Sequence, residues 1–298
     1  MRANFAFAAG LAGFVAISFS TPSAGQRETR ERGIIVGVST TSDAPVTDMK
    51  APDFTVREND IAREVIRVAP APPPSHVYLL IDDSQATQGL SNFLRPALTT
   101  TISKLAALSP APQQAFMTFG ERPNRRVDFT PNPEGLLKVA NGLFPVTGSG
   151  AYFLQAITDI TKDLKKREAA SPVIFAFVSE SGPEFSSELH RQVADALRSA
   201  GASLWVVTLQ RGPVAMDAAA ARERASVLGD VTRDSGGMNK VVLSAQGIDL
   251  GFNAVTALLT SRYLVTYGRP EALVPPDKIE VTSRRKDVRI IAPKWAGR

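Results

Sequence analysis

His76-Val77-Tyr78-Leu79-Leu80-Ile81-Asp82-Asp83-Ser84 is the stretch whose reading decides the fold. Val77 to Ile81, mostly apolar, runs without interruption into two acids and a hydroxyl. A strand buried on both faces reads as a continuous apolar run, whereas a half-exposed one alternates. The stretch therefore predicts a central strand in a sheet covered on both sides. In open α/β sheets ligands bind outside the carboxyl ends of the strands, and Asp82, Asp83 and Ser84 stand at such an end.

Downstream, strand and helix patterns alternate. Residues 90–108 put Leu94, Leu98, Ile102 and Leu105 on one helical face, and Ser109-Pro110 ends the run. Residues 114–119, 173–178 and 203–209 read as strands, 126–129 as a short edge strand and 241–243 as another short strand. Helices are predicted from Pro133 onward, over 151–166, over 184–200 with Gly201 as its stop, over 215–234 and over 248–261. Residues 263–267 read as the last strand of the main sheet. Such alternation means βαβ units. The predicted fold class is α/β, a doubly wound, mostly parallel sheet flanked by helices over residues 76–268.

Upstream, residues 26–32 are charged and read as disordered. Residues 33–68 read as a small β unit, with Ile61, Val65 or Ile66, and Val68 as candidates for its inner face. Ala69-Pro70-Ala71-Pro72-Pro73-Pro74 reads as a polyproline spacer, making 69–75 a linker. Residues 277–292 predict a C-terminal antiparallel hairpin turning at Arg284-Arg285-Lys286-Asp287. It either extends the N-terminal β unit or caps the main sheet.

The chain has 298 residues, 44% hydrophobic and 21% charged, which is ordinary globular composition. Its net charge of +5 comes from scattered Lys and Arg. A nucleic-acid binder would cluster them on one face among aromatics, so none is expected as a partner. Arg2, the uncharged residues 5–19 and Thr21-Pro22-Ser23-Ala24 form the pattern of a cleaved secretory signal over residues 1–24. The apolar run is short beside the roughly 20 residues of a membrane span. The expectation is a secreted or periplasmic protein with no stable membrane insertion. Cysteine is absent, which excludes disulfides, thiolate metal sites and lipobox acylation.

The residues also carry a family resemblance. Leu79-Leu80-Ile81-Asp82-Asp83-Ser84 resembles the start of the metal-ion-dependent adhesion site of von Willebrand factor type A domains. The segment from Ala44-Pro45-Val46-Thr47-Asp48 to Asp53-Phe54-Thr55-Val56-Arg57-Glu58 resembles the leader that precedes such a domain in bacterial (acidobacterial-type) VWFA-related secreted proteins. Tyr263-Leu264-Val265-Thr266-Tyr267, with Lys278-Ile279-Glu280-Val281 and Val288-Arg289-Ile290, resembles their closing strand and hairpin. The resemblance covers roughly residues 33 to 295.

It implies a site for Mg²⁺ or another divalent cation, built from Asp-x-Ser-x-Ser, a Thr from a second loop and an Asp after a later strand. Asp82 and Ser84 match, and Glu180 falls where the Asp belongs, one methylene longer. Ala86 replaces the second Ser and Ala151 the Thr, so two of the oxygens are missing. Thr87 or Ser149 would need a loop shift to substitute. Mg²⁺ demands near-ideal octahedral oxygen coordination. The metal residues are therefore Asp82, Ser84 and Glu180 in degenerate form, and no cofactor is expected. The plainer alternative has Asp82 and Ser84 capping backbone amides.

Enzymatic patterns are weak. Ser181 and His190 make a conceivable nucleophile and base, but no Gly-x-Ser-x-Gly elbow surrounds the serine. Asp82-Asp83 is similar to the acid pair of phosphoacceptor receiver domains, yet Arg211 stands where their Lys belongs. The expected function is a non-enzymatic module that binds another protein through residues 82–88, 148–152 and 179–185. Tyr152, Phe153 and Phe185 are its apolar candidates, with Phe153 favoured for the core. The alternatives are a structural part of an envelope assembly or a carboxylate-based hydrolase using Asp82, Asp83 and Glu180. The oligomeric state is left open.

Overall fold

A computed structural model describes residues 29–211, 219–270, 274 and 276–295. The expected signal segment and the first residues of the helix expected over 215–234 lie outside the described residues. Four strands come first: β1 (Thr29–Thr40), β2 (Phe54–Glu58), β3 (Ile61–Arg63) and β4 (Val65–Pro70). The central stretch follows as β5 (His76–Ile81), then α1 (Ser91–Ala106), β6 (Gln113–Thr118), β7 (Asn124–Thr130) and α2 (Glu134–Asn141). Next come α3 (Phe153–Lys166), β8 (Val173–Ser179), α4 (His190–Ala200) and β9 (Ser203–Leu209). The chain continues through α5 (Ala219–Ser226), a π turn at Val227–Val231, α6 (Thr232–Asp234), β10 (Asn239–Val242) and α7 (Ile248–Thr260). Three strands close it: β11 (Tyr263–Pro270), β12 (Ile279–Ser283) and β13 (Val288–Ile291).

The main sheet has the order β10-β9-β8-β5-β6-β7. All its pairs are parallel except β6 with the edge strand β7. The central position of β5 follows from its side chains. Val77, Leu79 and Ile81 pack into the layer of α1 and α7, while Tyr78 and Leu80 pack into the layer of α3 and α4. All five are fully buried. Each such side chain contributes roughly 1.5–3 kcal/mol of transfer free energy, which an edge strand would forgo.

A second body packs beside this sheet. β13-β1-β11-β4 and β12-β2-β3 form two antiparallel sheets that enclose one core of Ile34, Val36, Phe54, Val56, Val265 and Val281, among others. Tyr263 locks the body to its leader: its hydroxyl donates to Val46 O (2.9 Å) and accepts from the Met49 amide (3.2 Å).

Several expectations are corrected here. Residues 263–267 do not close the main sheet, because β11 lies antiparallel between β1 and β4. The tail is not a paired hairpin: β12 pairs with β2 and β13 with β1, one strand in each antiparallel sheet. Residues 29–32 belong to β1, and Ala69 and Pro70 end β4. Ile61 and Ile66 are exposed, leaving Val65 and Val68 on the inner face. The helix expected from residue 184 starts at His190, because the preceding segment is extended and bridges to Ala151.

Candidate functional site

Loops at the carboxyl ends of β5, β6 and β8 converge on Asp82 and Asp83. Asp82 is fully buried. Its Oδ1 accepts the Ser84 amide (2.9 Å) and its Oδ2 the Ser179 amide (3.0 Å), so one side chain joins the ends of two strands. Asp83 serves the other flank, where its Oδ1 accepts the Gly120 amide and its carbonyl the Val146 amide, each at 2.7 Å. Gly120 is obligatory, since a Cβ there would lie 2.5 Å from the Ser84 nitrogen. Burial pushes both carboxyl groups above the ordinary carboxylate range, and the hydrogen bonds they accept pull the other way.

The residues present do not fit a hard divalent cation. Such an ion needs about six oxygens. Ala86 and Ala151 offer none from their side chains, and Ala151 is buried with its backbone bonded to Pro183 and Phe185. Ser84 Oγ is buried near the Asp82 carboxylate without a hydrogen-bond partner. Gly182 closes over it: a Cβ on Gly182 would lie 2.8 Å from Ala86 Cβ and 3.7 Å from Ser84 Oγ. Among the described residues no group of three or more acidic or imidazole side chains is placed to hold a metal. Glu180 is half-buried, and burial raises its pKa while Arg224 lowers it.

Arg224 and Glu184 belong to this end of the sheet; Glu184 lies in the expected face 179–185 with no role of its own read there, and Arg224 was not legible as a site residue. Arg224, on α5, is buried, and its Nη2 donates to Glu180 O (3.0 Å). Its Nη1 lies 3.9 Å from Glu184 Oε2, an ionic contact too long for a hydrogen bond. Glu184 Oε1 accepts the amides of Phe153 (3.1 Å) and Ser186 (3.2 Å), and Ser186 Oγ accepts that of Gln155 (3.1 Å). These side chains cap α3, whose own N-cap residue, Tyr152, supplies no side-chain bond. The missing local cap was the available signal that a distant residue would supply one.

Phe153 is core and Phe185 is 54% exposed. The Phe185 ring lies 5.9 Å from that of Tyr152, against Gly150, where a Cβ would meet the ring at 2.3 Å. Leu189 is exposed on the same segment. Ser181 and His190 are engaged apart: Ser181 Oγ meets Ser179 Oγ (3.1 Å), and His190 Nδ1 meets Glu223 Oε2 (2.6 Å). Arg211 donates to Ala86 O (3.3 Å).

No family model matches the sequence, and no curated protein does. Solved structures similar to the chain include proximal thread matrix protein 1 from the mussel byssus, with a TM-score of 0.51, 11% identity, and coverage of 64% of this chain and 50% of that one. The human COPII-coat protein Sec24c gives a TM-score of 0.47 and 12% identity over 76% of this chain and 44% of its own. A von Willebrand factor type A protein from Catenulispora acidiphila gives 0.46 and 11% over 85% and 76%. This chain thus spans half the length of the mussel chain or less of the human one. The likeness, carried by the mussel protein, is one of fold alone: an open, mostly parallel sheet with helices on both faces.

Proposed function

We propose that this chain is an exported, non-enzymatic protein-binding module. Its contact face is the carboxyl end of the main sheet, and it binds without a bridging cation. The observation that carries the reading is the pairing of a closed pocket with an open apolar rim. Both Asp82 oxygens are committed to amides, while Phe185 and Leu189 lie exposed beside it. Buried, bonded carboxylates hold the loops in place, and a rigid aromatic anchor then loses little entropy on binding. The signal-like segment supports export. No described helix is long and apolar enough to cross a membrane.

The test is capture of a partner from an extract of the source organism by the immobilised chain. The reading expects retention in EDTA and loss with Phe185→Ser. Retention that requires Mg²⁺, or that ignores Phe185→Ser, contradicts it.

A further inference from the structure

At the opposite end of the main sheet, a cleft of about 570 Å³ separates the starts of β8 and β9 from β1 and β11. Its volume lies within the roughly 300–1,000 Å³ of small-molecule sites. Ile34, Ile279 and Trp295, all buried, supply apolar wall.

Arg262 also lines it, between α7 and β11. This arginine is 7% exposed; its Nε donates to Leu259 O (3.0 Å) and its Nη2 has no partner. Among the described residues no carboxylate acts on it. Burial alone pulls its pKa to about 10, so it keeps its charge at neutral pH. The nearby acid is committed elsewhere: Glu58 takes Arg63 (3.0 Å), Arg269 (3.3 Å) and the Tyr267 hydroxyl (2.9 Å). Among the described lining residues Glu58 is shared by Arg63 and Arg269, and Glu31 pairs with Arg67 (3.1 Å), so neither acid neutralises Arg262. A buried cation without a counter-charge is costly, and an anion entering the cleft relieves that cost.

We propose that the cleft binds a small organic monoanion. Its carboxylate would sit on Arg262 and its hydrocarbon body against Ile34, Ile279 and Trp295. One buried guanidinium suits a single carboxylate group, and the apolar wall suits an amphiphile over a free ion such as phosphate. The site is independent of the contact face at the other end of the sheet.

Calorimetry on the full chain with octanoate, octanol and inorganic phosphate tests this. Octanoate is expected to bind saturably at one site, about tenfold or more tighter than octanol, as a charge-assisted hydrogen bond implies. Phosphate is expected not to match it. Arg262→Gln should abolish the preference of octanoate over octanol, and Trp295→Leu should weaken both probes alike. The absence of saturable octanoate binding overturns the proposal. So does equal affinity for octanoate and octanol, phosphate binding as tight as octanoate, or an unchanged preference in Arg262→Gln. The octanoate-to-octanol ratio of the unaltered protein decides the case even if Arg262→Gln does not fold.

Discussion

The Ser179 amide donates to Asp82 Oδ2 at 3.0 Å, tying the end of β8 to the end of β5. This bond gives Asp82 a role that needs no ion. The acid at the head of the site holds two adjacent strand ends in register, and the loops that leave them inherit that order.

Removing the carboxylate should therefore unsettle the fold itself. Asp82→Ala strands two buried amides, each costing about 1–3 kcal/mol, so a total loss of about 2–6 kcal/mol is expected in urea denaturation. Asp82→Asn keeps one carbonyl oxygen and should lose less. Millimolar Mg²⁺ should raise the stability of neither the parent nor the variants.

The pH dependence has a definite sign. Burial raises the Asp82 pKa in the folded chain, so between the ordinary carboxylate value of about 4 and the raised one the folded state binds more protons than the unfolded. Stability from this group is complete below the ordinary value and is lost as pH rises through the raised one. Asn does not titrate. Thermal melts of parent and Asp82→Asn across that window should show the variant's deficit shrinking as pH rises, and a deficit that widened would contradict the assignment.

Two buried glycines differ in what an added methyl would meet, backbone at Gly120 and side chains at Gly150. Gly120→Ala drives a Cβ to 2.5 Å from backbone and should cost about 2–4 kcal/mol, within the range of severe core substitutions. Gly150→Ala meets side chains first, the Phe185 ring at 2.3 Å and Pro183 at 2.9 Å, and the half-exposed Phe185 ring can turn toward solvent. Gly150 is itself buried, so the change should cost about 1–2 kcal/mol, less than Gly120→Ala, and impair partner capture.

Arg224 and Glu184 form a buried charge pair. Arg224→Met leaves Glu184 without its counter-charge and should cost about 3–5 kcal/mol. With Glu184→Gln added, the double variant should be more stable than the two single losses sum to, with a coupling of about 1 kcal/mol or more. A denaturation cycle reads this directly, and strict additivity would mean that the contact carries no interaction.

The main sheet was legible because burial on both faces writes itself as an unbroken apolar run, as in Val77 to Ile81, and because α1 and α3 keep their inward residues at helical spacing. β11 defeated the same logic. Its burial is as continuous as that of a main-sheet strand, but its neighbours are β1 and β4, and an apolar run does not say which strand it pairs with. β12 and β13 alternate as a hairpin would, and alternation is equally satisfied by two edges of different sheets. In the site, Asp82 and Ser84 stood out as a local motif, and the alanines at 86 and 151 showed the missing oxygens. The roles of Arg224 and Glu184 arise between residues 40 positions apart, a juxtaposition that no local pattern encodes.

The central claim is that the head of the main sheet is organised by hydrogen bonds to Asp82 and not by a cation. Titration of the intact chain with Mn²⁺, followed by electron paramagnetic resonance, measures this most directly. The account predicts a spectrum of free ion throughout, with no saturable bound fraction at millimolar Mn²⁺. One tightly bound Mn²⁺ per chain, lost in Asp82→Asn, would contradict it.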